Sequence, residues 1–93
     1  MKFVHAMIRV KNIEESMRFY AGLLDMNKTG EVELDDCTLY YLSDEDGQTQ
    51  IEMTYNKETP KEGYQNGNAF GHFAFELDKM SDFTKKMQEY GYE

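Results

Sequence analysis

The amino-acid sequence predicts an α+β fold: a strand, a helix and about three further strands, followed by the first strand and helix of a second, related unit. Three observations predict it. The tripeptide Phe-x-His occurs twice, at Phe3-Val4-His5 and Phe70-Gly71-His72, each time on a strand-like run followed by a helix-like run, the mark of a duplicated module. Between the copies, Lys57 to Asn68 is polar and aperiodic and carries Pro60, Gly63 and Gly67, so it reads as a linker. The run from Phe70 to Glu93 then leaves room for one strand and one helix, an incomplete second copy. The organisation expected is therefore 1–56 for the first module, 57–69 for the linker and 70–93 for the start of the second.

Phe3 to Val10 alternates, with Val4, Ala6, Ile8 and Val10 on one face and Phe3, His5, Met7 and Arg9 on the other. Asn12 suits a helix N-cap with Glu15 as its capping-box partner, and Ile13, Met17, Tyr20 and Leu24 follow at helical spacing, which predicts a helix ending near Leu24. Lys28 to Leu42 reads as two short strands with a turn around Asp35-Asp36, and Asp44 to Gly47 as a second turn. Gln50 to Asn56 alternates again: Ile51, Met53 and Tyr55 share one side, Gln50, Glu52, Thr54 and Asn56 the other. In the second copy, Phe70, His72, Ala74 and Glu76 alternate with Gly71, Phe73, Phe75 and Leu77. A helix carrying Met80, Phe83, Met87 and Tyr90 follows from about Ser81.

Composition excludes several functions. At 93 residues and 40% hydrophobic content the chain can bury one modest core. A net charge of -8 opposes both phosphate-backbone binding and attraction to anionic membranes, which need concentrated positive charge. No apolar run approaches the roughly 20 residues of a membrane span, and Met1-Lys2-Phe3 leads into alternation instead of a signal-peptide core, so a cytoplasmic location is expected. Cys37 has no partner for an internal disulfide and reads as strand packing.

Taken singly, His5 and His72 are better explained as hydrogen-bonded structural or surface histidines, and Glu52 as an exposed-face carboxylate. Their conjunction points elsewhere. All three fall on predicted strands, opposite the main apolar row, and the two histidines occupy equivalent positions of a repeat. Related strands brought side by side can each offer an imidazole to one ion, and imidazole nitrogen with carboxylate oxygen suits nickel, cobalt, zinc or iron.

The runs Phe3-Val-His-Ala-Met-Ile-Arg-Val, Ser16-Met-Arg-Phe-Tyr-Ala-Gly-Leu-Leu-Asp-Met, Ile51-Glu-Met-Thr-Tyr-Asn and Asn68-Ala-Phe-Gly-His-Phe-Ala resemble glyoxalase I, lactoylglutathione lyase, of the vicinal oxygen chelate superfamily. The resemblance spans nearly the whole chain and implies paired βαβββ modules. It implies that His5, Glu52 and His72 are metal ligands, and that Arg9 and Asn56 contact the glutathione portion of the substrate. The compact spacing is similar to the nickel- or cobalt-activated bacterial group more than to the zinc type. The reaction implied is isomerisation of the hemithioacetal of methylglyoxal and a thiol, glutathione or similar, to a 2-hydroxyacyl thioester. In it the metal is a Lewis acid and a glutamate moves the proton. Glu52 is expected to be a ligand first and to share in proton transfer second.

The sequence departs from the family pattern in four places. The fourth ligand, a glutamate late in the second module that also serves as base, lies beyond the position this chain reaches, and Glu93 is no substitute. Asp25 stands where a glycine is common, Lys57 where an aromatic residue often follows Asn56, and Asn68 where some members have arginine. The last two leave the thiol open. Free sheet edges invite pairing with another chain, so at least a dimer is expected, and the resemblance implies a site built between subunits, from His5 and Glu52 of one copy and His72 of the other. The competing readings are a metal-free small-molecule-binding protein of the same fold, similar to bleomycin-resistance proteins, and an inactive truncated form of the enzyme. Extradiol dioxygenases and epimerases of the superfamily fit Arg9 and Ile51 to Asn56 less closely.

Overall fold

The computed structural model describes residues 1–93. Alternation resolves into four strands: β1 (His5–Val10), β2 (Asn27–Glu33), β3 (Cys37–Ser43) and β4 (Gln50–Asn56). They form one mixed sheet in the order β1-β4-β3-β2. β2, β3 and β4 run as an antiparallel meander joined by the turns that the acidic clusters predict, and β1 closes against β4 in parallel. A parallel neighbour requires a crossover. It is supplied by α1 (Ile13–Met17), which runs directly into a π-helical stretch, Arg18–Leu23.

Asn12 caps α1 as its sequence position predicts, its Oδ1 accepting from the Glu15 N–H at 3.0 Å. The one departure in this element is its second half, expected to be α-helical. There the Leu24 N–H reaches back to the Phe19 carbonyl, the wider turn of a π-helix. Leu23 is buried there and Leu24 packs against the core. Asp25 then leaves the helix at φ 57°, the left-handed conformation that a glycine adopts at least cost.

The helix covers one face of the sheet. Val10, Met26, Leu42, Ile51 and Met53 form the core, with Ile8, Ile13, Met17, Tyr20, Leu24, Tyr40, Tyr55 and Phe73 packed around it. The core is small: nine of 93 residues are buried. The second helix, α2 (Met80–Glu89), forms where its apolar spacing predicts. It docks on the first helical segment and not on the sheet. Arg18 lies over the rings of Tyr90 and Tyr92, at 4.9 and 5.6 Å from their centroids, and Lys86 pairs with Asp25 at 2.7 Å. A methyl group at Gly22 would meet the Tyr90 ring at 2.9 Å, so this close approach requires the glycine.

The strand expected at Phe70–Leu77 is absent from the sheet. Those residues belong to no ladder, because alternation becomes a strand only when a neighbour pairs its N–H and C=O groups, and neither β1 nor β2 pairs with this segment. Phe70, Phe75 and Leu77 consequently stay exposed.

Met53 is wholly buried. Met53→Ala is expected to cost about 2–5 kcal/mol in urea unfolding, through lost burial and the cavity left behind. Asp25→Gly, by contrast, is expected to leave stability unchanged or raise it by up to about 1 kcal/mol, because it relieves the left-handed conformation while removing only a surface ion pair.

Candidate metal centre

Residues facing one another across a ladder project to the same side of a sheet. In the parallel β1–β4 pair, His5 lies opposite Gln50, Met7 opposite Glu52 and Arg9 opposite Thr54. In the antiparallel β3–β4 pair, Tyr41 lies opposite Glu52 and Cys37 opposite Asn56. Since Ile51 and Met53 point into the core, this second set of residues occupies the opposite face. His5, Arg9, Glu52 and Asn56 therefore share one surface, as the alternation predicts.

Two of them meet. His5 Nε2 lies 3.1 Å from Glu52 Oε2, and the Glu52 side chain is the less exposed of the two at 13% against 35%. A largely covered carboxylate has lost much of its water and needs protein partners in exchange. Tyr41 is the residue of β3 that faces it. Its ring stands edge-on to the His5 imidazole, centroids 5.7 Å apart, and its phenol pKa is raised. Hydrogen bonding to Glu52 is the first cause, then burial, then the carboxylate's charge. Sequence reasoning missed Tyr41. Its only signal is its place in an alternating run, and nothing in that run tells which residue of β4 it faces.

The pair fits half of a metal site. Ligands at right angles around an octahedral ion with bonds of about 2.1 Å stand about 3 Å apart, close to the separation seen, and one nitrogen and one oxygen donor is the set that nickel, cobalt or zinc accepts. Within one chain no group of three His, Cys, Asp or Glu side chains gathers. His72, expected on a strand of the same face, lies outside any strand. It borders an open groove of about 730 Å³ together with Arg9, Phe19, Tyr20, Phe70 and Phe73. Without a ladder, the alternation of Phe70–Leu77 does not bring it to the face that holds His5.

Arg9 is exposed and forms no ion pair, leaving its guanidinium free for an anionic group. Asn56 donates from Nδ2 to the Tyr64 hydroxyl at 2.8 Å, so a residue of the linker fixes the amide that ends β4. Tyr64 was also beyond sequence reasoning, since the linker lacks any period that could place it. Cys37 is buried, and burial pushes its thiol pKa up, as expected of a packed cysteine and not of a nucleophile.

Glu52→Gln removes both the negative charge and the full acceptor strength facing Tyr41, and is expected to bring the Tyr41 pKa down toward the ordinary phenol value. Carbon-13 NMR of labelled tyrosine measures this. A phenol pKa raised by folding contributes stability below the unfolded value, lost as pH rises through the folded one. The wild type is therefore expected to lose more stability than Glu52→Gln between those two alkaline values.

The family model of the Glyoxalase/Bleomycin resistance protein/Dioxygenase superfamily matches residues 2–93. The chain is 34% identical over 95 residues to the lactoylglutathione lyase of Neisseria meningitidis serogroup A, covering 98% of this chain and 67% of that protein. It is 38% identical over 84 residues to that of Haemophilus influenzae, covering 86% and 61%. Among solved structures it is similar to the trypanothione-dependent glyoxalase I of Leishmania major, with a TM-score of 0.81 and 27% identity over 98% of this chain and 67% of that one. It thus spans about two thirds of the length of these relatives. Shared sequence over nearly all of the chain, on a matching fold, places the protein in the glyoxalase/bleomycin resistance/dioxygenase superfamily, with lactoylglutathione lyases among its relatives.

Proposed function

We propose that this chain is a metal-dependent, glyoxalase I-like isomerase that converts the hemithioacetal of methylglyoxal and a thiol into a 2-hydroxyacyl thioester. The observation that carries this reading is the convergence of His5 and Glu52 at 3.1 Å on the sheet face opposite the core. Arg9 and Asn56 lie on the same face. His5 and Glu52 would hold a divalent cation, nickel or cobalt first and zinc as a compatible third, with His72 as the further histidine ligand. When bound there, such an ion is a Lewis acid for the substrate's neighbouring oxygens. Glu52 is the group placed to share in proton movement at the adjacent carbon. Arg9 offers a planar, permanent fork to a carboxylate of the thiol portion, and Asn56 an amide to its polar backbone. The thiol is glutathione or similar, as the relatives' name lactoylglutathione lyase and the trypanothione dependence of the Leishmania enzyme both suggest.

Residues 1–56 form the first module in this reading, 57–69 the linker, and 70–93 the start of a second. His72 stands apart from His5 and Glu52 in one chain, so the site is completed by His72 of the partner subunit in a homodimer. Three features support this assembly: the unpaired outer edges of β1 and β2, the exposed Phe3, Phe70, Phe75 and Leu77, and the radius of gyration. That radius is 14.3 Å, against about 12 Å for a compact chain of this length. With no membrane-crossing helix and a lone cysteine, a cytoplasmic enzyme is the consistent assignment.

The lack of a third ligand within one chain favours a second reading, a non-catalytic small-molecule-binding protein or inactive truncated form of the enzyme. Light scattering combined with calorimetric titration of nickel into the metal-stripped protein separates the two. The isomerase reading expects a dimer above micromolar concentrations and about one ion per chain, bound tightly and lost in both His5→Ala and His72→Ala. It also expects thioester formation from methylglyoxal and glutathione that depends on the metal. A monomer that binds no nickel overturns it in favour of the second reading.

A further inference from the structure

We propose that Tyr41 is a positioning residue for the Glu52 arm of this site: its phenol holds the carboxylate in the arrangement that turns one oxygen to His5, while its ring edge limits the tilt of the imidazole. The inference rests on the reading of His5 and Glu52 as a metal-binding pair and adds a residue acting through both.

Several independent features of the fold converge on Tyr41. It is the direct β3 partner of Glu52, and both side chains rise from the same face. Its ring is set against the His5 imidazole at 66°, an edge-to-face contact that disfavours rotation of either ring. The neighbouring strand packs beside it. Gly30 is the β2 residue opposite Tyr41, and a methyl group there would come to 3.5 Å from the Tyr41 ring. A register shift between Lys28 and Gly30 places Thr29 beside the same point, where its hydroxyl reaches the Tyr41 carbonyl at 3.4 Å and Gln50 Oε1 at 3.3 Å. The irregularity in β2 thus sets the Thr29 hydroxyl against the Tyr41 backbone, and bulges of this kind commonly lie beside functional groups.

A carboxylate that binds an ion with one oxygen leaves the other in need of a donor, and a group supplying that donor fixes the ligand before the ion arrives. A protonated phenol is such a donor, and Tyr41 stands nearest to that role on β3. Arg9 and Asn56 lie farther along the same face, and Asn56 already donates to Tyr64.

The test compares wild type, Tyr41→Phe and Tyr40→Phe. Tyr41→Phe keeps the ring beside His5 and removes only the hydroxyl. Tyr40→Phe removes a hydroxyl from the opposite, core-facing side of β3 and controls for a general effect on the strand. Two quantities are read: nickel affinity by calorimetry, and the tautomer of neutral His5 in the metal-free protein by long-range proton–nitrogen NMR. Expected are nickel binding about tenfold weaker in Tyr41→Phe alone, with an unchanged melting temperature, and a His5 population that shifts away from the Nε2–H form paired with Glu52. If Tyr41→Phe equals wild type in both readouts, the proposal is overturned. If the wild type binds no nickel, the metal reading fails, and the His5 tautomer alone decides: a shift in Tyr41→Phe upholds positioning of the His5–Glu52 pair, and no shift overturns it.

Discussion

The parallel pairing of β1 with β4 is the constraint on which the candidate site depends. His5 and Glu52 are separated by most of the first module in sequence, and only this ladder brings them to 3.1 Å. The pairing sets His5 opposite Gln50, so that the imidazole, on the same face, lies diagonal to Glu52. A shift of one residue in that register would turn His5 toward the core and leave Ile8 and Val10 on the opposite face. The hydrophobic core and the site are therefore two consequences of a single register. Val10, Ile51 and Met53 stabilise it from one side while His5 and Glu52 use the other.

Two different surfaces follow. On the covered side, α1 and its π-helical continuation enclose a small core, and Arg18, held between Tyr90 and Tyr92, ties α2 to that helix. The other side carries mainly polar and ionisable groups, of which His5 and Arg9 are exposed while Glu52 and Thr54 are largely covered. An apolar sheet face left this way would be a liability in water, whereas one lined by His5, Arg9, Glu52 and Asn56 tolerates solvent and is suited to a polar ligand.

Much of the architecture was legible in the sequence because strict alternation reports facing without reference to any partner. β1 appears with its inward and outward residues divided as expected, β4 likewise except for the buried Thr54, and Asn12 with Glu15 marks the helix start by local hydrogen-bonding chemistry alone. Asp25, too, stands out as a residue where a glycine is usual, and it adopts the left-handed conformation that explains the preference. The same reasoning failed at Phe70–Leu77, whose alternation equals that of β1. Periodicity records which residues could share a face, but a strand forms only when its backbone groups find a neighbour, and that neighbour is not written in the segment itself.

For the site, sequence alone determined the chemistry: an imidazole and a carboxylate on alternating strands, an arginine two turns of the pleat beyond the histidine, and an amide closing the last strand. These depend on residue type and period, which are local. Tertiary structure decided which of them meet. Strand order and register joined His5 to Glu52, set Tyr41 beside both and left His72 away from them, in a groove that Arg9 also borders. The reason is that distances between strands are set by which edges pair, a property of the whole sheet that no single run of residues contains.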